Sequence, residues 1–172
     1  MVFTSQDLQC RSFLYRELES AGAVFGEVNG MAAALTYAEY DSDASVEKQQ
    51  ARSLGICDLS ALGRSGYKGW NIATWLQAQG AELPEASNTV KTQSDGIRIA
   101  RLAPSEVLIL GNLQGKGNLI DHLDSTWQLE NADGCFKVPR SSTNFWLTLS
   151  GHHAPELFAK ICAVDMQPDT LA

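Results

Sequence analysis

Two arginines three positions apart are the side chains of this sequence best suited to hold an anionic small molecule. Arg98 and Arg101 lie in the segment IRIARL, residues 97–102, which is typical of a β-strand. An odd spacing in a strand places two side chains on opposite faces. We therefore expect one guanidinium to face solvent and the other to approach a cleft, where it could bind a carboxylate through paired hydrogen bonds. Ordinary surface charge is the alternative.

The histidines offer a weaker case for chemistry. His122 lies between Asp121 and Asp124 in a helical segment, and His152 and His153 stand at the start of another. No serine or cysteine nucleophile motif accompanies them, so a solvated helix face and a helix entry are the favoured interpretations. The glycines of residues 111–117 have the wrong spacing for a phosphate-binding fingerprint, which favours a flexible loop.

The cysteines do not form a redox or metal-binding pattern. They are far apart in the sequence and include no CxxC pair; their positions are Cys10, Cys57, Cys135 and Cys162. We expect reduced and mostly buried thiols, with no metal site. From the residues alone the chain shows no catalytic constellation.

Composition restricts the classes of partner. The 172 residues have a formal net charge of −7 and a hydrophobic fraction of 44%. A nucleic acid or an anionic membrane needs a positive field, so neither is expected as the main partner. The first residues lack a signal-peptide pattern and no apolar run reaches the roughly 18 residues of a membrane span. The expected location is the cytoplasm.

Periodicity and punctuation by glycine and proline predict the elements that position these residues. Helices are expected within residues 12–22, 41–55, 71–80, 116–127 and 153–164. Strands are expected within residues 23–30, 56–67, 97–102, 106–111 and 144–151. The segments 97–102 with 106–111, and 127–131 with 135–139, are predicted hairpins, and the polar segment 82–93 a loop.

Several local roles follow from the same patterns. Ser12, either Asp43 or Ser45, and Asn71 are the expected N-caps of the first three helices, and Pro155 suits the first turn of the last. Each helix is expected to bury one apolar face. The strand 56–67 is expected to be central. The tryptophans are predicted core residues, namely Trp70, Trp75, Trp127 and Trp146.

Helices and hairpins in this order predict an α+β fold, with a mostly antiparallel sheet and helices packed on one face. Residues 64–84 and 145–168 share a strand–glycine–helix–proline order. This weak repeat suggests a single domain, residues 1–172, built from two similar halves at about 12–84 and 94–168. Chance similarity is the alternative.

The segment LGICDLSALGRSGYKGW, residues 54–70, is the most specific motif. Its spacing fits the pattern Gly-x-x-Asp-x-Ser-x-x-Gly through Gly55, Asp58, Ser60 and Gly63. On this basis residues 12–76 resemble the aminomethyltransferase family, which includes the T-protein of the glycine cleavage system. The resemblance implies a folate-binding fold, and it aligns Tyr37 with a family tyrosine.

The middle of the chain departs from the catalytic members of that family. They have a Gly-Gly-Ile-x-Asp-Asp segment, whereas here Asp95-Gly96-Ile97 leads directly to the arginine-containing strand. The resulting pattern, DG-x-x-x-ARL-x-P-x-E, and residues 145–168 are similar to the gamma subunit of heterotetrameric sarcosine oxidase. The resemblance therefore implies that the aspartate used in aminomethyl transfer is missing.

The resemblance as a whole implies a non-catalytic, gamma-subunit-like partner of oxidase subunits in one-carbon or methylated-amine metabolism. Tetrahydrofolate is the one cofactor that it leaves open, with Tyr37, Arg98 and Arg101 as candidate contacts for folate or a carboxylate. A folate-dependent aminomethyltransferase or a folate-binding protein is the alternative. An acidic interaction domain without a small ligand is a third reading.

Overall fold

Short amphipathic segments separated by glycine-containing turns fold into five helices and ten strands across the residues that the structure describes. The structure is a computed structural model that describes residues 4–37, 44–141, 143–167 and 169–170, with the side chain of Ala44 left out. Strand pairing is antiparallel except for one short parallel pair. The predicted α+β class with mostly antiparallel sheets is confirmed.

The elements follow one another in a mixed order along the chain. The helices are α1 (Tyr15–Ser20), α2 (Ala44–Leu54), α3 (Ile72–Ala78), α4 (Leu119–Thr126) and α5 (Ala154–Ile161). The strands are β1 (Cys10–Arg11), β2 (Ala23–Val28), β3 (Met31–Tyr37), β4 (Gly55–Asp58), β5 (Arg64–Lys68), β6 (Thr89–Thr92), β7 (Arg98–Ala103), β8 (Glu106–Leu110), β9 (Phe136–Lys137) and β10 (Leu147–Ser150). No helix among these residues is long and apolar enough to cross a bilayer.

The chain divides into two compact units. Unit 1 comprises residues 1–61 and 146–172, and unit 2 comprises residues 62–145. These bounds describe compactness, whereas the halves predicted at about 12–84 and 94–168 describe internal similarity. The duplication therefore stays a prediction, and Pro168, at the end of its second half, lies outside the described residues.

Unit 1 contains two small sheets. In the first, β3 pairs with β2 as an antiparallel hairpin and with β1 in parallel. The hairpin turn is Asn29-Gly30, and both residues have positive φ, at 51° and 76°. This dipeptide suits a two-residue hairpin because both positions need left-handed backbone. The second sheet pairs β4 with β10.

Unit 2 is built on a five-stranded antiparallel sheet in the order β6-β7-β8-β5-β9. One face, which we call the inner face, packs against α3 and α4. The core between them is apolar and contains Tyr67, Ile72, Leu76, Ile97, Ile99, Val107, Ile109, Ile120 and Leu123. The predicted inward stripes of these two helices are confirmed, as is the β7–β8 hairpin.

The predicted strand over residues 56–67 is wrong, because the chain bends between β4 and β5. The Asp58 carboxylate accepts a hydrogen bond from the backbone N–H of Ser60 at 2.9 Å, which fixes a turn. The Ser60 hydroxyl in turn accepts from the backbone N–H of Trp146 at 3.0 Å. The two strands join different sheets, so two motif residues shared with the aminomethyltransferase family have a structural role here.

Two further predictions about strands are corrected. The segment 82–93 is not only a loop. Its residues Thr89–Thr92 form the edge strand β6, which pairs with β7. The predicted hairpin of 127–131 with 135–139 does not form. Leu129–Asn131 is a short 3-10 helix, and β9 pairs with β5 instead. The Trp127 indole N–H donates to the carbonyl of Cys135 at 2.8 Å, which holds the intervening turn.

Helix ends follow the prediction only in part. The N-cap of α1 is Leu14, and the Ser12 hydroxyl accepts from the backbone N–H of Leu14 at 3.1 Å. Asn71 and Pro155 occupy the expected positions, although the Asn71 side chain donates to Asp133 rather than capping α3. The alternative cap Asp43 lies outside the described residues.

Some residues predicted to be buried are exposed. The side chain of Trp70 is 75% exposed, whereas Trp75 and Trp127 pack against the core as expected. The apolar side chains of α2 are partly exposed, Val46 at 37% and Leu54 at 42%, so the residues that the structure describes cover its predicted apolar face only in part. Only one of the four thiols is buried, that of Cys135, while Cys10, Cys57 and Cys162 are exposed. Tryptophan, cysteine and aliphatic residues favour burial, but the sequence does not show which elements of the fold cover them.

The turn after β5 generates a prediction about stability. Gly69 has a φ of +143°, and a Cβ there would overlap the backbone carbonyl of Gly134. Gly80 has a φ of +84° but has open space around it. We expect Gly69→Ala to lower the free energy of unfolding by about 3 kcal/mol or more, and the control Gly80→Ala by about 1 kcal/mol. Urea denaturation measures both, and equal losses would contradict the close approach.

Candidate functional site

The strand β5 buries polar side chains that could belong to a reactive site. Ser65 and Tyr67 lie on the inner face, and both side chains are buried. The Ser65 hydroxyl donates to Asp124 Oδ1 at 2.7 Å, and the Tyr67 hydroxyl donates to the same oxygen at 2.9 Å. Lys137 Nζ lies 2.9 Å from Asp124 Oδ2. Serine, tyrosine, aspartate and lysine thus meet between β5, β9 and α4.

The polar groups of this cluster are engaged with one another. Burial raises the pKa of Tyr67 far above its usual range, and the neighbouring Asp124 raises it further, although the hydrogen bond to Ser65 lowers it. The phenol is therefore neutral at physiological pH and cannot act as a base. Asp124 already accepts two hydrogen bonds and pairs with Lys137. The cluster joins α4 to the sheet.

Arg64, at the start of β5, is also committed to structure. It is 3% exposed, and its guanidinium donates to the carbonyls of Ser141 and Asn144 at 2.9 and 3.1 Å. The Ser141 hydroxyl returns a hydrogen bond to the Arg64 carbonyl at 2.8 Å. These bonds hold the segment that follows β9 beside β5.

A group of charged side chains lies on the opposite face of the sheet, which we call the outer face. Arg140 Nη2 is 2.7 Å from Glu106 Oε1, and Lys68 Nζ is 3.7 Å from the other oxygen of that carboxylate. The Arg140 side chain lies over Gly66, because a Cβ added to Gly66 would lie 2.8 Å from Arg140 Nε. The absence of a side chain at this position lets the arginine lie flat against the sheet.

The two candidate arginines on β7 differ in their surroundings. Arg101 donates from Nη1 to the carbonyls of Pro84 and Glu85, each at 3.0 Å, and from Nη2 to that of Pro104 at 3.2 Å. These bonds tie two turns to the strand and occupy much of its donor capacity. Arg98 is half-buried and lies opposite Leu110 of β8, on the outer face.

Tyr37, the third candidate, is at the end of β3 in unit 1, whereas the arginines belong to unit 2. Partial burial raises its pKa, with smaller contributions from Cys57, Glu47 and Asp58. The Cys57 residue is exposed, but partial burial of its thiol raises the pKa of that thiol, and the charges of Asp58 and Glu47 raise it further. Both groups are therefore neutral near pH 7. The role of Tyr37, Arg98 and Arg101 in holding a folate or a carboxylate stays a prediction.

The histidines occupy exposed positions. His122 lies on the exposed side of α4, and His153 is the N-cap residue of α5. His152 Nδ1 is 2.9 Å from the carbonyl of Arg52, and His153 Nδ1 is 3.2 Å from Glu156. Across residues 4–37, 44–141, 143–167 and 169–170, no group of three or more His, Cys, Asp and Glu side chains could hold a metal.

One pocket lies within unit 1 and is small. Its free volume is about 10 Å³, room for about one water molecule, and it is lined by Ser12, Leu18, Met31, Ala32, Ala33, Ala34, Asp58 and Ala61. Pockets for small ligands have volumes of roughly 300–1,000 Å³. The Asp58 carboxylate in its wall is already bonded to the N–H of Ser60. This pocket is therefore too small for a folate.

Comparison with known proteins identifies the fold. No family model and no curated protein matches the sequence. The structure is similar to the glycine cleavage system aminomethyltransferase T from Bartonella henselae, with a TM-score of 0.54 and 19% identity over 87% of this chain and 43% of that one. It is also similar to the heterotetrameric sarcosine oxidase from Corynebacterium sp. U-96, with a TM-score of 0.54 and 20% identity over 74% of this chain and 68% of that one.

These similarities confirm the aminomethyltransferase-type fold that the sequence motif implies, and they show the fold alone. The two TM-scores are equal, so neither neighbour is favoured. The chain spans less than half the length of the aminomethyltransferase. Activity and partners therefore have to be argued from the residues of this chain.

The buried cluster generates a prediction about alkaline stability. Because the pKa of Tyr67 is raised in the folded state, its contribution is complete below about pH 10 and is lost as the pH rises further. We expect Tyr67→Phe to lower the free energy of unfolding by about 2 kcal/mol at pH 7. Its stability should also fall less steeply above pH 10 than that of the native chain. Urea titrations from pH 7 to 11 measure both effects, and parallel curves would contradict the assignment.

Proposed function

We propose that this chain is a non-catalytic subunit of a sarcosine oxidase-type complex in one-carbon or methylated-amine metabolism, located in the cytoplasm. The observation that supports this most is the number of large apolar side chains that remain exposed. They include Phe13, Leu35, Ile56, Trp70, Val90, Phe136 and Ile161, with exposed fractions from 51% to 75%. Of these, Val90 belongs to a contiguous apolar row with Ala100 and Leu108 on the outer face of the unit 2 sheet. Contiguous exposed apolar surface marks protein interfaces, whereas scattered exposed residues are ordinary.

The polar residues support the same proposal, because those best placed for chemistry are engaged within the chain. Asp95, the acidic residue nearest to the family's catalytic segment, accepts from the backbone N–H of Ile97 at 3.1 Å. Its carbonyl accepts from the Asn112 side chain at 2.6 Å. Asp95 therefore shapes the turn into β7.

The proposal includes a pseudo-duplicated chain with halves at about 12–84 and 94–168.

The alternative is a tetrahydrofolate-dependent aminomethyltransferase or a folate-binding protein. One observation favours it. Within the part of the chain that the structure describes, Arg98 has neither a hydrogen-bond nor an ion-pair partner, so its guanidinium is available for a carboxylate. The fold similarity to the aminomethyltransferase is compatible with this reading to the same degree.

Co-expression tests the principal proposal. We expect the full chain to purify in fixed stoichiometry with the flavin-containing subunits of a sarcosine oxidase from the same organism. Size-exclusion chromatography with light scattering gives the mass of the assembly, and the flavin absorbance identifies the partner. A chain that remains a separate, stable monomer in the presence of those subunits would contradict the proposal.

A tetrahydrofolate titration separates the two functions. We expect calorimetry on the isolated full chain to detect no binding in the micromolar range. Arg101→Gln should lower the free energy of unfolding by about 2 kcal/mol, because three backbone carbonyls lose their donor. Arg98→Gln serves as the control and should leave stability unchanged. Micromolar binding that is lost in Tyr37→Phe or Arg98→Gln would support the alternative.

A further inference from the structure

The outer face of the unit 2 sheet differs from a solvent-facing surface. Antiparallel sheets with one face in water alternate apolar and polar residues, so that the wet face is polar. Here the register places Val90, Ala100 and Leu108 side by side on β6, β7 and β8, on the outer face. The next position in this row is Gly66 of β5, which the Arg140 side chain covers. An apolar row of three residues thus lies on the part of the outer face that Arg140 does not cover.

Charged residues flank this apolar row on both sides. On one side, Arg98 of β7 pairs with Thr92 of β6 and with Leu110 of β8. On the other side, Lys68 of β5 pairs with Glu106 of β8 and with Phe136 of β9. The outer face therefore has an apolar centre with a charged border.

The border is positive, although the chain as a whole has a net charge of −7. Lys68 and Arg140 share the single carboxylate of Glu106, at 3.7 and 2.7 Å. Arg98 adds a cation for which no carboxylate is supplied by the strand residues of this face. The excess of positive charge favours a partner that presents carboxylates.

The edges of this face are accessible, whereas Ala100 and Leu108 at its centre are half-buried. Val90 is 60% exposed and Phe136 is 51% exposed, and the side chain of Lys68 is 62% exposed. Exposed aromatic and apolar residues with an arginine beside them are typical of an interface, in which a few central residues provide most of the binding energy.

We propose that the outer face of the five-stranded sheet docks an oxidase subunit through an apolar surface bordered by carboxylates. The apolar row and Phe136 would be buried against apolar side chains, and Lys68 and Arg98 would pair with the carboxylates. This inference rests on the proposed function and adds the location and chemistry of the contact. A second copy of the chain is disfavoured, because a two-fold contact through this face would bring like charges together.

The test uses the full chain and the flavin-containing subunits of a sarcosine oxidase from the same organism as the probe. Lys68→Glu combined with Arg98→Glu should weaken binding about 30-fold or more at low ionic strength and reduce its dependence on salt. Phe136→Ala should weaken binding about tenfold. Biolayer interferometry over a series of salt concentrations measures each dissociation constant.

Matched controls come from exposed residues of unit 1. Lys48→Glu reverses a cation on α2, and Val164→Ala removes most of an apolar side chain that is 61% exposed. Both should change the dissociation constant by no more than about twofold, and circular dichroism should show all variants folded. Val90→Glu is a further variant, which places a repulsive carboxylate on the apolar row and should also weaken binding.

The outcomes separate this inference from the proposed function. A complex that forms normally with the double charge reversal overturns the docking face and leaves the proposed function standing. A wild-type chain that does not bind the subunits overturns both. A chain that dimerises alone and loses its dimer through Phe136→Ala or Val90→Glu overturns the choice of an oxidase subunit, because the face would then bind a second copy. Analytical ultracentrifugation detects that case.

Discussion

The fold of unit 2 depends on hydrogen-bond partners for the polar side chains of the buried strand β5. β5 buries Arg64, Ser65 and Tyr67, and a buried polar group without a partner costs about 1–3 kcal/mol. The two hydroxyls bind Asp124 of α4, and the arginine binds carbonyls of the segment after β9. Helix, sheet and loop are thereby fixed by polar contacts as well as by the apolar core.

This constraint explains why the chain has buried polar clusters. Asp124 and Arg101 have the residue types of a reactive or binding site, but their hydrogen-bonding groups are used to join elements of the fold. What the outer face presents to solvent is apolar and positively charged. These features support the proposal of a binding subunit, on a fold similar to an aminomethyltransferase and to a sarcosine oxidase.

The sequence predicted local structure better than it predicted contacts between residues far apart in the chain. Glycines and apolar periodicity located five helices, and turn residues located the β7–β8 hairpin. The alternation of side chains along a strand shows that Ser65 and Tyr67 share a face. If that face is buried, the two hydroxyls need hydrogen-bond acceptors. It could not identify Asp124, which is 57 residues from Tyr67, nor the pairing of β9 with β5. The turn at Asp58 went unrecognised because the alternation continues through it.

Lysine acetylation followed by mass spectrometry tests the central claim, that the chain acts by binding a protein through the outer face. The full chain would be labelled alone, with tetrahydrofolate, and with the flavin-containing oxidase subunits. The account predicts that labelling of Lys68, exposed in the free chain, falls only with the subunits, while exposed Lys48 on α2 is labelled equally in all three states. Equal labelling of Lys68 with and without the subunits, or its protection by tetrahydrofolate, would contradict the account.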